Sequence, residues 1–287
     1  MHRFILHNEN VCEASEKSLS TGQTGLLTGW GVFSTIRVMD GVLFAWERHW
    51  ARMTRDARLL RVPMPADANA VETKLYQLIE ANGAANSTLR LSVVRNAGGI
   101  WTGPDSGREC DLIAFTASTK VWGAGVRLTY VPQARHAACV FAGTKILAWA
   151  MNLTWLEQAQ SRGFDEALLL NERGEVSECT SANIFIAEGN QAYTPPLASG
   201  CLPGITRELL LGEIHVAGYR VNEKTLFPAD LEGADEVFIT STTRELLAVN
   251  DIDGRPIRNH GGARQALGAA FQSYENAYVQ SRLAVSH

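Results

Sequence analysis

The chain has 287 residues, 46% hydrophobic and 20% charged, a composition that supports one large or two medium folded domains and excludes wholesale disorder, collagen and a disulfide-stapled miniprotein. Lys plus Arg number 26 against 30 Asp plus Glu, net −4, so no broad cationic face tracks nucleic acid phosphates and no nucleic acid partner is expected. The five cysteines, at 12, 110, 139, 179 and 201, are odd in number and form no C-x-x-C pair, which suits a reducing cytosol and leaves neither a disulfide framework nor a metal site expected.

The N-terminal apolar run is too short for a signal-peptide core or a membrane span, so a cytoplasmic protein without membrane attachment is expected. GVFSTIRVMDGVLFAW alternates around Asp40-Gly41 and predicts a hairpin with strands over about 32–39 and 42–46. Amphipathic helices are expected over 47–60 and 66–81, separated by Val62-Pro63 and closed by Asn82-Gly83, with strands over 88–95 and 111–117 after them. Residues 119–125 then read as an interdomain linker. It would separate a small N-terminal α/β domain, 1–118, from a larger C-terminal domain, 126–287. A strand GVRLTYV opens the second domain, and a helix over about 147–162 ends at Gly163. The strands DEALLLN, EVSECTSANIFIAE and QAYTPP follow, then a helix from Gly204, a strand DEVFITS and a closing helix over 262–283. The fold class is α+β.

Five of the basic residues are lysines, and Lys17, Lys74, Lys120 and Lys224 lie in polar or helix-surface contexts. Lys145 instead precedes an apolar run in AGTKILAWAM. Desolvation there would favour the neutral amine that a Schiff base requires; the alternative is a stem snorkelling at a helix start. Glu178, inside an otherwise buried strand, is either bonded to backbone amides or set against a protonated ring nitrogen of a cofactor. GCLPGITREL, with Gly204, Ile205 and Thr206 at a helix start, is either an anion site or a plain N-cap. Ser241, Thr242 and Thr243 supply hydroxyls at a strand end, again as an anion contact or a turn cap. Arg52 lies on a helix face and matters if a phosphate is present. Arg90 and Arg95 sit five apart on one strand and face opposite sides. No G-x-S-x-G, H-E-x-x-H, P-loop or Rossmann fingerprint is present.

In order, GWGVFSTIRVMDG, the H-x-x-R of His49 to Arg52, the lysine in GTK, ECTSANIF, LPGITR and TSTTRE resemble the fold-type IV pyridoxal-phosphate enzymes, the class IV aminotransferases, over nearly the whole chain. The resemblance implies a small N-terminal α/β sandwich domain, a larger C-terminal domain with a β-barrel-like core, a cofactor held between them, and a homodimer. It implies that Lys145 carries the cofactor and shuttles the substrate proton, and that Glu178 pairs with the pyridine nitrogen. Arg52, Gly204, Ile205, Thr206, Ser241 and Thr242 would form the phosphate cup, with Leu202 packed on the ring. Phe33, Thr35, Arg95 and Thr243 are the expected substrate contacts, Arg95 because VVRN is similar to the strand-end arginine of D-amino-acid enzymes.

The implied activity is ping-pong transamination between an amino acid or related amine and a 2-oxo acid; aminodeoxychorismate lyase, which forms 4-aminobenzoate and pyruvate, is the alternative. A non-catalytic module on the same fold is a third reading, against which the retention of Lys145 and Glu178 argues. Two departures bear on specificity. Ala150 stands where branched-chain enzymes carry Tyr, and Ser34 where many members have Glu. At Ser241 the lyases carry Asn.

Overall fold

The computed structural model describes residues 1–16, 23–99 and 107–285; Lys17 lies outside them. The chain divides into two compact units, Met1–Lys120 with Lys145–Trp149 and Tyr278–His287, and Val121–Thr144 with Ala150–Ala277. The units are interleaved in sequence, because a five-residue piece bearing Lys145 belongs to the first.

The first unit holds an antiparallel six-stranded sheet. Its strands are β1 (Phe4–His7), β2 (Asn10–Glu13), β3 (Gly31–Met39), β4 (Val42–Leu43), β5 (Ser87–Arg95) and β6 (Cys110–Ala117), in the order β2-β1-β6-β5-β3-β4. A short α1 (Thr24–Thr28) precedes β3, and α2 (Trp46–Leu60) and α3 (Ala68–Ala81) follow the β3–β4 hairpin. Alternation along β3 and β5 sends Val32, Ile36, Leu89, Leu91 and Val93 to the core side, where they meet Met53 and Ala57 of α2 and Leu75 and Leu78 of α3. Asp67 caps α3 by accepting from Asn69 N–H at 2.9 Å and Ala70 N–H at 3.1 Å.

Several expectations shift, and the expected strand EVSECTSANIFIAE is broken at 180–182 into two. The second hairpin strand stops at Leu43, because Ala45 takes φ 51° and turns the chain into α2 at Trp46. The helix expected from 147 starts at Ala150; Ile146 instead bridges to Val32, and Phe33 N–H donates to Lys145 O at 3.1 Å and Leu147 N–H to Gly31 O at 2.9 Å. Apolar periodicity favoured helix there, and main-chain pairing to the free edge of β3 overrode it. The hairpin β1–β2, turned at Asn8 with φ 57°, was not anticipated.

The second unit is built on a nine-stranded mixed sheet. It contains β7 (Val126–Arg135), β8 (Glu166–Asn171), β9 (Val176–Cys179), β10 (Asn183–Glu188), β11 (Gln191–Thr194), β12 (Arg220–Glu223), β13 (Glu236–Ser241), β14 (Glu245–Ile252) and β15 (Arg255–Pro256). The order is β12-β11-β10-β13-β14-β7-β8-β9, with β15 on β14. Strand β9 ends that order, yet Cys179 N–H bonds to Ala182 O where β10 begins, so the sheet curls into a barrel-like core lined by Leu168, Val176, Ile184, Val237, Ile239 and Val249. The helices are α4 (Ala150–Ser161), α5 (Ile205–Gly212), α6 (Pro228–Gly233) and α7 (Ala263–Val285), whose last turns belong to the first unit. Among the described residues no helix is long and apolar enough to cross a membrane.

Candidate active site

In the first unit, β3 presents two chemically different faces. Phe33 and Thr35 share one of them, and Ser34 lies on the core side. Gly31 is required at the start of β3, since a side-chain carbon there would overlap Val93 O and the Leu147 side chain, which pack against it. The half-buried Lys145 places its Nζ 4.7 Å from the Phe33 ring centroid. Arg90, paired across from Thr35, stacks its guanidinium over the same ring at 3.7 Å, and Trp149 meets it edge-on at 5.9 Å. Burial pushes the Arg90 guanidinium below its ordinary pKa. Arg95, on the opposite face, is committed elsewhere: it stacks over Trp30 at 4.2 Å and donates to the main-chain carbonyls of Ala97 and Arg61. The structure thus brings Phe33, Thr35, Arg90 and Lys145 together and leaves Arg95 apart.

Helix α2 turns His49, Arg52 and Asp56 inward at spacings of three and four. Arg52 donates to Ser34 Oγ at 2.8 Å, and Ser34 Oγ lies 2.7 Å from His49 Nδ1. A guanidinium only donates, so the Ser34 hydroxyl accepts from Arg52, and the direction of its bond with Nδ1 follows the His49 tautomer. Burial, reinforced by the charges of Arg52 and Lys145, holds the His49 pKa well below its ordinary value, in agreement with a neutral ring. Asp56, almost fully buried, accepts the Lys145 main-chain N–H at 3.0 Å through Oδ2 and Arg55 Nε at 2.9 Å through Oδ1.

In the second unit, Glu178 on β9 is 8% exposed and accepts from the Leu202 N–H at 3.0 Å and from Arg135 of β7 at 3.2 and 3.3 Å. Both Arg135 donors fall on Oε1, whereas Oε2 takes the Leu202 N–H and keeps a second lone pair for a further donor. Leu202 is pinned a second time through its carbonyl, which accepts from Asn183 Nδ2 at 2.8 Å. Gly204 follows as the N-cap of α5. A side-chain carbon there would collide with Asn183 Oδ1, and glycine supplies no capping side chain, so the amides of the first turn at Ile205 and Thr206 are left for another acceptor. Ser241 ends β13 with Oγ buried and unpartnered, and Thr242–Arg244 form the turn into β14. A buried hydroxyl without an acceptor beside a run of hydroxyls suits a phosphate, as an uncapped helix start does.

Arg135, Glu166, Arg244 and Asp56 were missed by sequence reasoning. Arg244 donates to Ser181 O and to Glu166 Oε2, each at 3.0 Å, and stacks over Trp122 at 4.2 Å. Glu166, 1% exposed, also takes hydroxyl donors from Thr180 and, at 2.7 Å, Ser181. This buried pair fastens the turn after Glu178 to the turn bearing Thr242 and Thr243. An acid opening the otherwise apolar strand EALLLN was the available signal. Among the described residues no cluster of His, Cys, Asp and Glu could hold a metal ion.

These two folds, a six-stranded sheet under helices and a curled nine-stranded sheet, define an α+β protein of fold type IV. A branched-chain amino acid aminotransferase from T.th., solved with pyridoxamine 5′-phosphate, has the same fold: TM-score 0.87 at 24% identity, covering 97% of this chain and 95% of that one. The amino-transferase class IV profile matches residues 31–252, and the chain belongs to that family. It is 30% identical over 257 residues to the D-alanine aminotransferase of Bacillus licheniformis, covering 88% of this chain and 89% of the relative. It is 27% identical over 266 residues to the branched-chain-amino-acid aminotransferase of Escherichia coli K12, covering 88% and 85%.

Proposed function

We propose that the protein is a pyridoxal-phosphate-dependent aminotransferase that moves an amino group between an amino acid, or a related primary amine, and a 2-oxo acid by a ping-pong cycle. The observation that carries this reading is a half-buried Lys145 amine set over Phe33 beside a desolvated arginine. Family membership and relatives named for transamination support it. The cofactor assignment is supported by the neighbour solved with pyridoxamine 5′-phosphate and by the uncapped α5 start and buried Ser241 hydroxyl.

When bound, pyridoxal phosphate supplies the electron sink for the carbanion formed at the substrate Cα. Lys145 would hold the cofactor through Nζ and would move the proton at the substrate Cα. Glu178 would hold a proton at the ring nitrogen, and Arg135 in turn orients the Glu178 carboxylate. Arg52, Gly204, Ile205, Thr206, Ser241 and Thr242 would bind the phosphate, and Leu202 would pack on the ring. Phe33, Thr35 and Thr243 line the substrate. For the substrate carboxylate Arg90 is better placed than Arg95, because it shares the Phe33 ring with Lys145 while the Arg95 guanidinium is bonded to main-chain carbonyls. We also read the protein as a cytoplasmic homodimer with domains 1–118 and 126–287 around a 119–125 linker. The family resemblance and the exposure of Val140 and Met151 support the dimer.

The purified protein is expected to be yellow and to become irreversibly labelled on Lys145 by borohydride. An amine donor should convert the bound cofactor to its pyridoxamine form, and Lys145→Ala should abolish turnover while the fold survives. A colourless protein that takes up no added pyridoxal phosphate removes the reading. Pyruvate release from aminodeoxychorismate, without conversion by amine donors, selects the lyase instead.

A further inference from the structure

We propose that Asp56 is a positioning residue for Lys145, acting through the main chain rather than through the amine. The proposal rests on the reading of Lys145 as the cofactor lysine. Lys145 lies in no helix and in no named strand. The segment is held to the edge of β3 by the bonds from Phe33 N–H to Lys145 O and from Leu147 N–H to Gly31 O. The Lys145 N–H itself donates to Asp56 Oδ2 at 3.0 Å. The peptide groups on both sides of the Lys145 Cα are therefore gripped, one by a strand and one by a helix.

The grip has the features of a built device. Asp56 is 1% exposed, and its other oxygen is occupied by Arg55, which restrains the carboxylate in rotation. It lies one turn beyond Arg52 on the inward face of α2, so one rigid helix carries both the proposed phosphate-binding guanidinium and the acceptor for the lysine backbone. A lysine side chain is long and freely rotating, and its reach is defined only if its Cα is fixed. A misplacement of about 1 Å can cost roughly a hundredfold in rate.

The test compares wild type, Asp56→Ala and Asp56→Asn, each full length, purified without cofactor and mixed with pyridoxal phosphate. Formation of the covalent link is followed by absorbance and by borohydride labelling at Lys145. An asparagine oxygen can still accept the N–H, so the expected result is at least about tenfold slower linkage in Asp56→Ala and recovery to within about threefold of wild type in Asp56→Asn. Hydrogen exchange at the Lys145 amide in the wild-type protein gives a reading that needs no variant to fold. Strong protection is expected there, lost in Asp56→Asn less than in Asp56→Ala. Wild-type linkage in Asp56→Ala, equal impairment of both variants, or an unprotected Lys145 amide overturns the clamp. Labelling of wild type at a residue other than Lys145 would instead remove the cofactor reading itself.

Discussion

Phe33 shows how much one side chain can organise. Its ring is shared by the Lys145 Nζ and the Arg90 guanidinium, and a guanidinium desolvated against a ring favours an anion beside it. A substrate carboxylate is such an anion. Arg90→Ala is therefore expected to raise KM for amino acids about tenfold or more while leaving KM for a neutral primary amine nearly unchanged, and Arg95→Ala to affect both alike. Steady-state kinetics with one donor of each kind decides the matter; a selective effect at Arg95 would reverse the assignment. The sequence placed the two arginines on opposite faces, because strand periodicity is local. It did not reveal which one stood beside Lys145, since Arg95 finds its acceptors on Arg61, 34 residues away, and on the following loop. Asp56 was hidden for the same reason, 89 residues from the amide it holds.

Helices α2 and α3 were legible because apolar spacing, the Val62-Pro63 break and the Asn-Gly stop agree with one another. Their ends followed closely, and Asp67 bonds two first-turn amides where the sequence had suggested a start slightly earlier. Asp67→Ala should cost about 1 kcal/mol of stability, read as a lowered urea midpoint with an unchanged m-value; no change would mean that water replaces the cap. Strand β8 was legible as an apolar run, and its opening Glu166 was not assigned a role. The start of α4 was misread where local periodicity and long-range pairing disagreed. Element type is set by short-range pattern, whereas the pairing of residues 145–147 with β3 depends on a strand more than a hundred positions earlier in the chain.

Acid exposes both units of the molecule. His49 is buried neutral, with its folded pKa below the ordinary 6.5. Between those two values the unfolded chain binds the extra proton, so His49 makes stability fall as the pH drops below about 6.5. Glu175, held at about 2 chiefly by its hydrogen bond with Arg173, acts later: its contribution is present above the ordinary 4.5 and is lost as the pH falls toward 2. Urea unfolding of wild type should weaken from pH 7 to pH 5, and His49→Gln should flatten that slope without altering the loss below pH 4.5. An unchanged slope would mean that other groups take up the proton.

The five residues Lys145–Trp149 cluster with the first unit although the chain on both sides of them belongs to the second. No single cut can therefore separate the two cores. A fragment ending at residue 120 would leave the Phe33 amide and the Asp56 carboxylate each without the peptide group it grips. Lys145 is thus a loan from one half of the gene to the other, and any recombination that exchanges these halves as blocks must carry that short stretch along with the half it folds into.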